Sequence, residues 1–259
     1  MSFLKNIINL VYSLYCIVCF FIVLALLLIV YTSVFFLDDR FRTLAAYRAN
    51  RALSWAWFQV CGYSIGIEGW EKVDPDKAYM FVANHTNMLD LPITGYFLQH
   101  YYKSLVKKEL RYVPIFGFLI KVSSVQVDRS NAESRKRSTQ IIIDKLKSGI
   151  SFLIFPEGTR NKTDQPLKSF YSGAFKTAVL AQVPILPMVY LDHRFLQPVR
   201  GYRFHPGHIR VKILDAVETQ GMAYEQSDEL QEKVYNLIEN TILKEDKDLL
   251  HPTLPQGKG

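Results

Sequence analysis

Cysteine is scarce. Cys16, Cys19 and Cys61 are the three in a chain of 259 residues, too few for the disulfide framework of a small secreted domain. The first two fall inside an apolar run where a cross-link would have nothing to staple, so all three read as buried free thiols. The six histidines are scattered and no Cys/His set has zinc-ligand spacing, which argues against a structural metal site. No internal repeat and no low-complexity linker occurs, which excludes a solenoid or a string of tethered modules. Charge is also missing locally: from Asn6 to Leu37 there is no charged side chain. Acidic residues are outnumbered, 24 against 31 Lys and Arg, leaving a formal charge of +7. That balance suits anionic partners such as phospholipid headgroups, nucleotide phosphates or an acidic carrier protein, and on charge alone it admits nucleic acid.

The uncharged stretch is the first positive feature. Ile17 to Val30 is almost wholly Leu, Ile, Val and Phe. A spanning helix needs roughly 20 apolar residues, so the run exceeds one perpendicular pass and predicts a membrane segment that tilts or bends. A cleaved signal peptide fits poorly, because its apolar core is shorter and ends at small residues, whereas this run ends at Leu37-Asp38-Asp39-Arg40. Arg40, Arg42, Arg48 and Arg51 follow the run and only Lys5 precedes it, which places the body of the chain on the cytoplasmic face, as for a bacterial inner-membrane protein. Phe41 to Cys61, with Trp55, Trp57 and Phe58, predicts an amphipathic helix along the headgroup region. A two-helix anchor dipping into one leaflet is the competing topology. Residues 1–62 are thus expected to form the anchor and residues 63–259 one catalytic domain, a length suited to a single α/β unit.

Beyond Gly62, short apolar runs alternate with amphipathic stretches, which predicts an α/β fold with a mixed, largely parallel sheet flanked by helices. Expected strands are 78–83, 124–127, 151–155, 185–190 and 209–216. Expected helices are 92–101, 131–147, 173–181 and 228–243, the last with Ser227 as N-cap.

Asn84-His85-Thr86-Asn87-Met88-Leu89-Asp90 falls between an expected strand and a helix with Pro92 in its first turn. In α/β folds that is where reacting groups sit. Across a straight helix, positions five apart cannot meet. Across a turn favoured by Asn84, Thr86 and Asn87 they can, letting Asp90 orient one nitrogen of His85 while the other faces a substrate hydroxyl. A surface histidine beside a helix-capping Asp is the bland alternative for such a short spacing. Further blocks follow in order: Lys107-Lys108-Glu109-Leu110, Val125-Gln126-Val127-Asp128-Arg129, Phe155-Pro156-Glu157-Gly158-Thr159-Arg160, and Val183-Pro184-Ile185-Leu186-Pro187-Met188. Gly158 permits close backbone approach to a ligand and Arg160 offers a planar fork for a phosphate, so this strand-end loop has the parts of a phosphate cradle.

These blocks resemble the glycerolipid acyltransferase family, nearest to its 1-acylglycerol-3-phosphate acyltransferase branch, over roughly residues 63–216, and Phe155 to Arg160 is the most specific of them. One departure is Met188-Val189, where many members place a further proline. The resemblance implies direct acyl transfer from acyl-CoA or acyl-carrier protein to the sn-2 hydroxyl of lysophosphatidate, with membrane phospholipids as surroundings and no nucleic acid, metal or cofactor. It implies His85 and Asp90 as the catalytic pair, and Lys107, Arg129, Glu157, Gly158, Thr159 and Arg160 as substrate-binding, with backbone amides near Gly158 facing the developing oxyanion. Quieter roles compete: Lys107 in a solvated basic face with Lys103, Lys108 and Arg111, and Arg129 pairing with Asp128 or Glu157. Another lysolipid or aminoacyl-lipid acceptor, a membrane-tethered thioesterase and a non-catalytic membrane-binding module are the competing functions. Gly62-Tyr63-Ser64-Ile65-Gly66 mimics a hydrolase nucleophile motif, but a helix is expected before Ser64 and an extended stretch after it, the reverse of what that motif needs.

Overall fold

A computed structural model describes residues 2–113, 116–128, 130–194, 196–197 and 203–246. It opens with two helices, α1 (Ser2–Ser33) and α2 (Asp39–Val60). There follow β1 (Tyr63–Glu68), β2 (Met80–Ala83), α3 (Asp90–Phe97), β3 (Tyr102–Lys107), α4 (Phe116–Ser123), β4 (Ser124–Val127) and α5 (Ala132–Lys147). The chain continues through β5 (Ser151–Ile154), α6 (Gly173–Ala181), β6 (Ile185–Leu191), β7 (Gly207–Ile213) and α7 (Ser227–Glu245).

The strands form one seven-stranded sheet in the order β1-β7-β6-β2-β5-β3-β4. The five strands from β6 to β4 run parallel, β7 is antiparallel to β6, and β1 is parallel to β7. This is the mixed, largely parallel arrangement that the sequence pattern predicts. The central strands β2 and β6 are buried along their whole length, which is why they read as unbroken apolar runs rather than alternating ones. Two strands and a helix escape the periodicity. β3 is Tyr-Lys-Ser-Leu-Val-Lys, too polar to stand out, β1 is an edge strand carrying Gly66, and α4 has only eight residues.

Alternate residues of each strand feed two cores, as a period of two requires. On one face Met80, Val82, Phe152, Ile185 and Val189 pack against α5, α6 and α7. The contact stripe of α7 is Leu230, Val234, Ile238 and Ile242, one residue per turn. Helix α5 starts where Asn131 caps it, its side chain accepting from the amide of Ser134. On the other face Phe81, Leu153, Leu186, Met188 and Tyr190 pack against Ile93 and Phe97 of α3, Trp57 and Phe58 of α2, and Cys16 of α1. Burying a side chain such as Phe58 contributes roughly 2 kcal/mol.

Helices α1 and α2 form an antiparallel hairpin. Trp57 Nε1 donates to the carbonyl of Cys16 at 3.1 Å, Asn50 Nδ2 donates to the Tyr31 hydroxyl at 2.7 Å, and Ser13 Oγ accepts from the amide of Phe204 at 2.8 Å. Apolar packing therefore runs across the 62/63 boundary. From Asn6 to Ser33, α1 is long and apolar enough to cross a membrane, and only 17% of its most apolar window is buried. Phe3, Leu10, Val11 and Phe21 point outward. The cysteines are free thiols, Cys16 and Cys61 buried and Cys19 only partly so, which corrects the expectation of three buried ones: Cys19 packs at the margin of the core that encloses Cys16 and Cys61.

Candidate active site

Five parallel strands bring their C-terminal ends to one edge of the sheet, and the blocks holding His85, Lys107, Asp128 and Glu157 leave from that edge, whereas Val183-Pro184 leads into β6 at the opposite edge. β2 lies between β6 and β5, so the loop holding His85 is flanked by the loops after Ile154 and Leu191. Val82 pairs with Ile154, which sets His85 level with Glu157. Lys107, at the end of β3, is two strands from β2, about 10 Å at the usual strand spacing.

The segment 84–89 is not helical, and α3 begins only at Asp90. Asn84 anchors the turn with two bonds to Tyr190 of β6: its Nδ2 donates to the carbonyl at 3.0 Å and its Oδ1 accepts from the amide at 2.8 Å. Asn87 makes a local turn, its Oδ1 accepting from Leu89 N at 2.9 Å. The chain thereby folds back and His85 Nδ1 lies 2.6 Å from Asp90 Oδ2. The same oxygen accepts from the amides of Thr86 at 2.7 Å and Asn87 at 3.1 Å. Asp90 Oδ1 is 2.7 Å from His193 Nε2. Burial pushes the Asp90 carboxyl upward, but hydrogen bonds from His193 and His85 more than offset it and lower it to about 2. The group stays ionised, so Nδ1 of His85 carries the proton. The imidazole stacks on Phe155 with centroids 4.5 Å apart. One fifth of the side chain (21%) is exposed, and Nε2 meets no partner among the described residues. A ring in this state can accept a proton at Nε2 while a fixed carboxylate stabilises the charge that develops.

Glu157, expected among the substrate contacts, is 1% exposed. Its Oε1 accepts from the amide of His85 at 2.6 Å and its Oε2 from that of Lys168 at 3.1 Å. Both oxygens therefore tie two loops together instead of facing a ligand. Burial raises its carboxyl to about 7 against the pull of these amides. Asn161 N closes the other side, donating to the His85 carbonyl at 2.7 Å. Gly158 has φ +71°, a conformation that costs other residues. Its amide donates to Phe155 O at 3.0 Å and so is committed to the turn, not free for an oxyanion. Thr159 is exposed and its hydroxyl accepts from Lys168 Nζ at 2.7 Å; Arg160 is half-buried and Lys107 exposed, on the same sheet edge. Arg129 lies outside the described residues. Of its two suggested acidic partners, Asp128 pairs with Lys108 and Glu157 is occupied as above.

A family model described as acyltransferase matches residues 64–191. An acyltransferase of Schizosaccharomyces pombe is 32% identical over 195 residues, covering 72% of this chain and 68% of that one. The chain belongs to the acyltransferase family. A 1-acyl-sn-glycerol-3-phosphate acyltransferase of Haemophilus influenzae is 26% identical over 199 residues, 74% of this acyltransferase and 82% of the relative. The crystal structure of the 1-acyl-sn-glycerophosphate (LPA) acyltransferase PlsC from Thermotoga maritima superposes with a TM-score of 0.77 at 25% identity, covering 93% of this chain and 97% of that one. Across eight curated relatives, the acyltransferase spans 54–82% of their length, under two thirds for five of them. The resemblance drawn from the motif blocks agrees with these matches.

Sequence reasoning passed over His193 in this acyltransferase. Its signal was available, since Asp192-His193 comes one residue after an expected strand ending at Tyr190, the same kind of position that drew attention to His85. Lys168 and Asn161 were also missed, because their roles run through backbone amides, which no residue type advertises.

Proposed function

We propose that this acyltransferase moves a fatty acyl group from a thioester donor, acyl-CoA or acyl-carrier protein, to the sn-2 hydroxyl of 1-acylglycerol-3-phosphate, giving phosphatidate. The observation that carries the reading is the 2.6 Å contact between His85 Nδ1 and the buried carboxylate of Asp90, with Nε2 left open. His85 Nε2 takes the hydroxyl proton as the oxygen attacks the thioester carbonyl. Asp90 stabilises the imidazolium without taking the proton, and His85 returns it to the thiolate as the carbon–sulfur bond breaks. Lys107, Arg160 and Arg129 supply the positive charge for the acceptor phosphate, with Thr159 as a further polar contact. The similarity to the Haemophilus and Thermotoga 1-acylglycerol-3-phosphate acyltransferases supports the choice of acceptor.

The hairpin of α1 and α2 is assigned as the membrane anchor, residues 1–62, with residues 63–259 as the catalytic domain on the cytoplasmic face. The outward apolar surface of α1 and the arginines after it support this. The deciding test is turnover of the purified protein in detergent on a panel of lysolipids with both donors, His85→Ala being the control. Phosphatidate is the expected product, and the Ala variant should lose at least about a thousandfold in rate while still sedimenting with membranes. Preference for a phosphate-free acceptor, or fatty acid released at full rate with no acceptor present, overturns the reading.

A further inference from the structure

The carboxylate at the heart of the site is held by two histidines, and only one of them is open to substrate. His193 is 1% exposed, and its Nε2 lies 2.7 Å from Asp90 Oδ1. An ionised carboxylate only accepts, so the proton on that bond belongs to His193 Nε2. Asp90 then accepts four hydrogen bonds: from His193 on one oxygen, and from His85, Thr86 N and Asn87 N on the other. Such a carboxylate has no freedom to rotate or to exchange its oxygens.

The segment carrying His193 is itself fastened. Asn87 Nδ2 donates to the His193 carbonyl at 2.8 Å, and Gln197 Oε1 accepts from Met88 N at 2.9 Å. Asp192, just before it, has φ +60°, unusual for a residue with a side chain, and its carboxylate pairs with Arg210 of β7. Arg210 also reaches the Glu245 carbonyl at the end of α7. A left-handed residue held by an ion pair sets the direction in which the next side chain leaves.

We propose that His193 is a positioning residue: by holding Asp90 Oδ1 it keeps Oδ2 on His85 Nδ1, and so keeps His85 in the tautomer whose Nε2 is free for the acceptor hydroxyl. This rests on the acyl-transfer reading above. A histidine that merely filled the core would need volume, not a donor at this atom. Loss of the donor leaves Oδ1 buried and unsatisfied, so the carboxylate charge concentrates on Oδ2 and pulls harder on the His85 proton. The imidazolium then persists to higher pH. Among the described residues, the titratable groups that act on the carboxylate or feel its charge are His85, His193, Glu157 and Tyr190.

The experiment compares His193→Leu, which removes the donor, with His193→Gln, whose amide reaches the place of Nε2. Wild-type turnover on lysophosphatidate tests the acyl-transfer reading on its own; the variant-to-wild-type ratios test this proposal with whichever acceptor of the panel is turned over. Expected for Leu are a 10- to 100-fold loss in kcat, as for removal of a group acting through another, with KM for both substrates within about threefold, and an acid limb of the kcat/KM profile moved to higher pH. Gln should recover most of the rate and restore the limb. If Leu fails to fold, His193→Asn, whose shorter amide falls short of Oδ1, takes its place with the same expectation. A donor-less variant within twofold of wild type, or Gln as slow as Leu with the acid limb unmoved in both, overturns the proposal.

Discussion

Replacing Asp90 by Asn exchanges one oxygen for an NH2 group in a site where every neighbour of the carboxylate is a donor. Oδ2 faces three donors and Oδ1 one, so the amide oxygen takes the crowded place and the NH2 turns to His193, which can swap its tautomer to accept. His85 therefore keeps its orientation and its proton on Nδ1, and what disappears is the negative charge. The 2.6 Å contact puts the two charge centres of the imidazolium–carboxylate pair about 4 Å apart. At an effective dielectric near 20 that is worth about 4 kcal/mol, or roughly a thousandfold in rate at about 1.4 kcal/mol per decade. The assay is the initial rate of phosphatidate formation at saturating acceptor and donor, with the melting temperature of the same preparation as the control. An Asn variant that melts like wild type and turns over within tenfold of it would refute the argument, because the carboxylate charge would then contribute little to the transition state.

The same carboxyl sets an acid limit on stability. It is lowered from 3.8 to about 2 in the folded chain, so it contributes on the order of 2 kcal/mol that is present above pH 4 and lost as pH falls toward 2, read from urea midpoints across that range. Glu157 runs the other way: raised from 4.5 to about 7, it binds its proton more tightly in the native state, so stability should decline between those values as pH rises, and Glu157→Gln should flatten that slope. Gly69→Ala should lower the melting temperature through a loss of about 2 to 4 kcal/mol, since φ is +82° and a new Cβ would stand 2.3 Å from the carbonyl oxygen of Ile213. Ser64→Ala should leave turnover within about twofold, although Ser64 Oγ lies 2.8 Å from His208 Nδ1, because β1 is three strands away from β2, at roughly 15 Å; a large loss would reopen the nucleophile reading.

The elements legible beforehand were those whose environment is uniform along their length. β2 and β6 are covered on both faces and spell continuous apolar runs; α5 and α7 have one wet face and show the helical period. β3 was not legible because Lys103 is buried, a burial that only its neighbours explain. His85 and Asp90 were visible as a spacing, and the need for a turn between them followed from helix geometry alone. Glu157 was visible too, but its task was not: a carboxylate before a glycine reads the same whether it faces a ligand or two backbone amides.

Chemistry local in sequence was therefore settled by sequence: the long uncharged helix, the alternation that makes a parallel sheet, the turn that lets residues 85 and 90 meet, and the membership implied by the blocks around them. What needed tertiary structure was everything joined across the strand order β6-β2-β5. That order sets His193 beside Asp90 across 103 positions of chain and Glu157 beside His85 across 72. Hydrogen bonds act over about 3 Å whatever the separation along the chain, and only the folded sheet says which distant residues come within that reach.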